Sequence, residues 1–133
     1  MLFIFGISGC DGAIGMKGRV YEYLQPAPEY KSTIYVDTLD SVPPTQLKVV
    51  SGAEVVIEPW TPDKRGENPN AELFTLRGKS DGNGYFELKQ TAKPGTYDAT
   101  MTVRCPGYST VQKVFKHDRL YHNAIVVLVR ERR

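Results

Sequence analysis

The side chains best suited to chemistry in this 133-residue chain lie in KHDRLYHN, residues 116–123. His117, Asp118 and His122 fall within a few residues of one another. Two imidazoles and a carboxylate are the residue types of a zinc site. A closed zinc site needs four ligands, and a catalytic one needs three plus water. The segment offers no third neutral ligand, and Lys116 and Arg119 set two positive charges beside any cation. It therefore reads as a polar loop before a last strand. No structural metal and no cofactor are expected.

A second candidate is SDGNGYFEL, residues 80–88, where Asp81 and Asn83 could offer oxygen ligands. A calcium loop spaces several side-chain oxygens over about 12 residues and closes with a bidentate Glu. Asp81 and Asn83 alone are too few. Gly82, Asn83 and Gly84 are the residues that tolerate positive φ, so the segment reads as a tight hairpin turn. Phe86 and Leu88 then alternate inward, with Tyr85 and Glu87 outward. Trp60, the sole tryptophan, follows Pro59 at a strand end. It could stack on a sugar or anchor a partner, or it could plug the end of a core. Cys105 in TVRCPGY reads as a half-buried packing residue, because no base or helix N-terminus stands near to activate it.

The elements that must position these residues are strands. No window carries a 3.6-residue apolar stripe, and 12 glycines and nine prolines punctuate the whole length. TYDATMTVRC alternates Tyr97, Ala99, Met101 and Val103 against Asp98, Thr100, Thr102 and Arg104, the pattern of a sheet with one buried and one wet face. AIVVLV, residues 124–129, is apolar throughout and suits a strand covered on both faces. Strands are expected near 16–24, 53–58, 72–79, 84–89, 97–104, 109–116 and 124–130, which points to an all-β sandwich. Residues 25–52 read as a long excursion between the first two strands, in which Ile34-Tyr35-Val36 could add an edge strand. Net charge is +2, from 17 basic and 15 acidic residues, so there is no general pull toward nucleic acid. The arginines at 130, 132 and 133 read as a solvated tail.

The opening MLFIFGISGC ends in Ile7-Ser8-Gly9-Cys10, which resembles a bacterial lipobox. The apolar run before it lacks the usual basic start and is too short to span a membrane. The resemblance implies a truncated signal segment at 1–9, acylation of Cys10, a tether at 10–15 and a folded domain at 16–133. Several acyl chains together give stable anchoring. Asp11 resembles an inner-membrane retention signal of enteric bacteria. That rule is not general, so the expectation is the envelope rather than one membrane. With Cys10 acylated, Cys105 has no intrachain partner; the alternative is a Cys10–Cys105 bridge in an unprocessed chain.

The ordered set Gly52-Ala53-Glu54-Val55, Ser80-Asp81-Gly82-Asn83-Gly84-Tyr85-Phe86, Pro94-Gly95-Thr96-Tyr97 and Pro106-Gly107-Tyr108 is similar to carboxypeptidase regulatory-like domains. The resemblance implies a seven-stranded antiparallel transthyretin-like β-sandwich, here with the long insertion between its first two strands. It implies a folding, docking or binding module with no catalytic residues. The expected protein is a non-catalytic cell-envelope lipoprotein, held to the membrane by Cys10, with an envelope protein or glycan as possible partner. The alternative is a glycan- or peptide-binding module using Trp60 or the 25–52 insertion. A third reading is a transthyretin-like hydrolase. Hydroxyisourate hydrolases of that fold end in Tyr-Arg-Gly-Ser, whereas this chain ends VLVRERR, and His117, His122 and Arg104 fall outside their motifs.

Overall fold

The computed structural model describes residues 13–25, 27–42, 46–67, 74–91 and 96–131. The lipobox, Asp11, Pro94-Gly95 and the last two arginines lie outside them. Among the described residues the chain is built from β-strands with two short 3₁₀ turns at Leu39–Ser41 and Pro62–Glu67. No helix among the described residues is long and apolar enough to cross a membrane.

Among the described residues nine strands run in order: β1 (Ala13–Tyr23), β2 (Thr33–Val36), β3 (Leu47–Val49), β4 (Glu54–Glu58), β5 (Leu76–Lys79), β6 (Tyr85–Thr91), β7 (Tyr97–Arg104), β8 (Val111–His117) and β9 (Tyr121–Leu128). They form two sheets. One is ordered β5-β4-β7-β8, antiparallel throughout. The other has β1 at its centre, with β9 and then β2 on one side; on its other side β6 pairs the first half of β1 and β3 the second half. Two strands therefore come from the 25–52 excursion. Ile34-Tyr35-Val36 does form an edge strand, against β9.

One pairing departs from the expected antiparallel pattern. β1 and β9 run parallel, from Gly15 opposite Tyr121 to Glu22 opposite Leu128. They come from opposite ends of the domain, so no hairpin dictates their relative direction. A parallel pair needs only a long crossover, and the rest of the chain supplies one. The two backbones come so close that a Cβ on Gly18 would lie 2.0 Å from the Ala124 carbonyl oxygen. Only glycine fits there.

The core lies between the sheets. Met16, Val20, Phe86, Leu88, Ala124, Val126 and Leu128 face Val55, Ile57, Leu76, Ala99, Met101, Val103 and Phe115. Full burial of each large side chain stabilises by about 1.5–3 kcal/mol. The face of β7 expected to be wet is partly covered, for Thr100 and Thr102 are buried. β7 is an inner strand, so flanking side chains close over its small residues. Thr100 donates to the Trp60 carbonyl at 2.6 Å, and Gln112 donates to the Thr102 hydroxyl at 3.1 Å.

Polar side chains tie the ends of the sandwich. Ser80 is buried, donates to the Val50 carbonyl at 2.8 Å and accepts from the Ala53 amide at 3.0 Å. Arg130 is not part of a solvated tail. It pairs at 3.1 Å with the buried Glu22 carboxylate, which also accepts from the Tyr108 hydroxyl at 2.8 Å. Burial, and then the Glu22 carboxylate, push the Tyr108 hydroxyl up to about 12.

Candidate functional site

The sequence's strongest chemical cluster is partly assembled, but not as a loop. β8 runs on to His117 and β9 begins at Tyr121, so only 118–120 turn between them. Both histidines are buried, His122 completely. The expected polar loop is thus a correction: backbone pairing of Tyr121 and His122 with Gly15 and Met16 draws this stretch into the sheet, where residue polarity alone suggests a loop. Asp118 turns outward to Arg119 at 3.0 Å rather than to either imidazole. The carboxylate that meets the histidines is Asp37, just past β2.

Three side chains form one line of contacts. Asp37 Oδ2 lies 2.7 Å from His122 Nδ1, and His122 Nε2 lies 3.1 Å from His117 Nδ1, where the donor is set by the tautomers of the two rings. Asp37 is fixed further by the Asn123 amide, which donates to its Oδ1 at 2.9 Å, and by its own amide, which donates to the Asn123 carbonyl at 2.8 Å. It adopts φ 56°, a left-handed conformation that Asp tolerates better than most residues. Tyr97 packs on His117 with ring centroids 4.9 Å apart, and Phe115 meets His122 edge-on at 5.1 Å. Burial, and then the His122 imidazole, depress the His117 pKa. Arg104 ends β7 at the far end from Tyr97, which is the residue opposite His117, so Arg104 does not converge with the histidines.

Trp60 is 6% exposed, so little of its ring is open to stack on a ligand. Cys105 packs half-buried against the core, with burial raising its thiol pKa. In the SDGNGYF turn, Asp81 Oδ1 accepts from the Asn83 amide at 2.8 Å and the Tyr85 amide at 3.0 Å. The side chain is spent on the turn itself. Replacing it with alanine (Asp81→Ala) should lower stability by about 1 kcal/mol, because exposed amides recover water. A urea titration measures this. Calcium should leave the wild-type melting temperature unchanged; a large rise would mean that the turn holds an ion.

A surface that residue patterns did not single out is the outer face of the five-stranded sheet. Strand register puts Lys17, Arg19, Tyr21 and Tyr23 of β1 in one row. Tyr85, Glu87 and Lys89 of β6 stand on one side of it, and Tyr121, Asn123, Ile125 and Val127 of β9 on the other, with Tyr35 of β2 beyond. Five of the chain's eight tyrosines are on this face. The Tyr121 and Tyr85 hydroxyls both donate to Glu87, the latter at 3.1 Å, and hold its carboxyl below its ordinary pKa. The Lys17 ammonium lies 5.7 Å from the centre of the Tyr121 ring. Between these rows runs a groove of about 420 Å³, lined by Lys17, Arg19, Tyr21, Tyr85, Asn123 and Ile125 among others. Leu39, 41% exposed, stands at its rim. The sequence signal was present in the outward set of each strand's alternation. It needed the order of strands to become one surface.

No protein-family model matches the sequence, and no curated protein matches it. Among solved structures, the crystal structure of the major plantain pollen allergen Pla l 1 is similar in outline. It has a TM-score of 0.49 and 11% identity, over 87% of this chain and 92% of that one. A likeness of that size carries no argument about what this chain does.

Proposed function

We propose that this chain is a non-catalytic cell-envelope lipoprotein whose folded part is a binding module, working through the outer face of its five-stranded sheet. The observation that carries the binding reading is that face: half-buried Tyr21, Tyr35, Tyr85 and Tyr121 beside exposed Lys17, Arg19 and Lys89. Tyr and Arg are the side chains over-represented where proteins hold partners. The histidines support a structural role, since His122 has both ring nitrogens engaged and His117 one. The membrane part of the reading rests on Ile7-Ser8-Gly9-Cys10. We also read the plan as a transthyretin-like sandwich of the carboxypeptidase regulatory-like kind. Its seven strands would be β1 and β4 to β9, with β2 and β3 belonging to an insertion.

Two experiments test this. A lipobox-bearing chain expressed in bacteria should incorporate labelled fatty acid and enter the detergent phase, and the variant Cys10→Ser should do neither while melting at the same temperature. Equal partitioning of the two would sink the lipoprotein reading. The purified soluble domain should co-sediment with washed envelope material, and an Arg19→Glu, Tyr85→Arg variant should not. No sedimentation of the wild type would remove the binding reading.

A further inference from the structure

We propose that the groove on the outer face takes an anionic carbohydrate, a sugar chain bearing carboxylate or sulfate groups; this rests on the binding reading above and names its ligand class. Four observations lead there. Arg19 lies mid-face between Tyr85 of β6 and Ile125 of β9, exposed and with no hydrogen-bond or ion-pair partner among the described residues. An unpaired guanidinium is a bidentate site for carboxylate or sulfate. The local charge is positive: Lys17, Arg19 and Lys89 against Glu87 leave +2 on these rows, and Glu87 is already occupied by two tyrosine hydroxyls. Tyr21 and Tyr85 line the groove with half-buried rings, each an apolar plane with a polar tip. A sugar ring has the matching make-up, with C–H faces and a hydroxyl rim. Asn123 lines the same groove, and its exposed side-chain amide supplies a donor and an acceptor for such hydroxyls.

The alternatives fit less well. A nucleic acid would call for a longer run of cations, since its affinity comes from neutralising many phosphates. An anionic bilayer would favour exposed apolar side chains able to enter it. Here a single exposed apolar side chain, Leu39, stands at the rim, and the other apolar members, Ile125 and the rings of Tyr21 and Tyr85, are half-buried in the sheet.

The test is calorimetric titration of the full folded domain with oligogalacturonate, with heparin-derived oligosaccharide and with neutral dextran oligomers. Binding of either acidic sugar is expected, weakening as salt rises, with dextran not bound. Oligogalacturonate alone would identify a carboxylate ligand, heparin alone a sulfated one, and both would identify charge as the shared requirement. Arg19→Gln should weaken binding about tenfold or more. Tyr85→Leu should weaken it too, with thermal melts by circular dichroism checking that both variants stay folded. If Tyr85→Leu is not folded, the exposed Lys17→Gln takes its place with the same expectation. Equal binding of dextran, or full affinity in folded Arg19→Gln, would overturn the proposal. So would binding of anionic vesicles but of neither acidic sugar. If the wild type sediments with envelope material and neither acidic sugar binds, the carbohydrate assignment falls and the binding reading stands.

Discussion

Replacing His117 and His122 together by alanine is expected to lower stability by about 3–5 kcal/mol, the scale of emptying large buried side chains, and the melting temperature by roughly 10–15 °C. Read as a loop, the pair could be removed at little cost; inside the sandwich it cannot. The double change opens a cavity beside Phe115 and Tyr97 and strips the Asp37 carboxylate of its imidazole. Asp37→Asn should cost less, because that side chain is 22% exposed and water can replace part of the contact. The histidines also set a pH response. The folded pKa of His117 lies below its unfolded value, so between the two the unfolded chain binds the extra proton. Stability from this group is complete above the unfolded value, near 6.5. It is lost as pH falls from there through the depressed folded value. Asp118 opposes the shift from the turn, and His122 reinforces it from β9. Denaturant midpoints from pH 8 to 5 measure this, and a flat profile would overturn it. Elemental analysis should find no zinc in the tag-free protein. Near-stoichiometric zinc, lost in the double mutant, would mean that the facing nitrogens share a metal and not a proton.

Gly84→Val is expected to cost about 2–5 kcal/mol. Gly84 has φ +75°, and a Cβ there would lie 2.7 Å from the Val20 carbonyl oxygen and 3.0 Å from the Val49 Cβ. The left-handed conformation costs a β-branched residue about 1–2 kcal/mol, and forced packing adds about 1–3 kcal/mol. The obstruction is not a movable side chain. The Val20 carbonyl already accepts the Val50 amide, and the Val20 amide donates to the Gly84 carbonyl, so the collision falls where β6 hands β1 over to β3. Gly82 has open space around its missing Cβ, and Gly82→Ala should be nearly neutral. Equal losses at the two positions would show that the turn conformation, and not the contact with β1, decides the cost.

Local patterns carried most of the strand positions. Alternation around Met101 and Phe86 marked which side chains face inward, and glycine with asparagine marked the turn after Asp81. Pairing direction was not legible. Nothing local in Gly15–Glu22 or Tyr121–Leu128 encodes that the two lie side by side and parallel. The same gap hid Asp37 as partner of His122, since the two are 85 positions apart and meet only because β2 pairs β9. It also hid the tyrosine face, which is spread over four strands. Glu22 and Ser80 are polar yet buried, because Tyr108, Arg130 and the loop amides and carbonyls around Val50 and Ala53 satisfy them, partners that lie far off in sequence.

The parallel pairing of β1 with β9 also bears on mechanics. If the chain is held at its amino end and loaded at its carboxyl end, the two strands are pulled past one another along their length. Eight residue pairs, Gly15–Tyr121 to Glu22–Leu128, then carry the load together in shear. A hairpin pulled from its open end would instead release its bonds one after another. How long such a molecule survives under tension is governed by its unfolding rate rather than by its equilibrium stability. Such a strand arrangement resists being drawn out along the line joining the start of β1 to the end of β9.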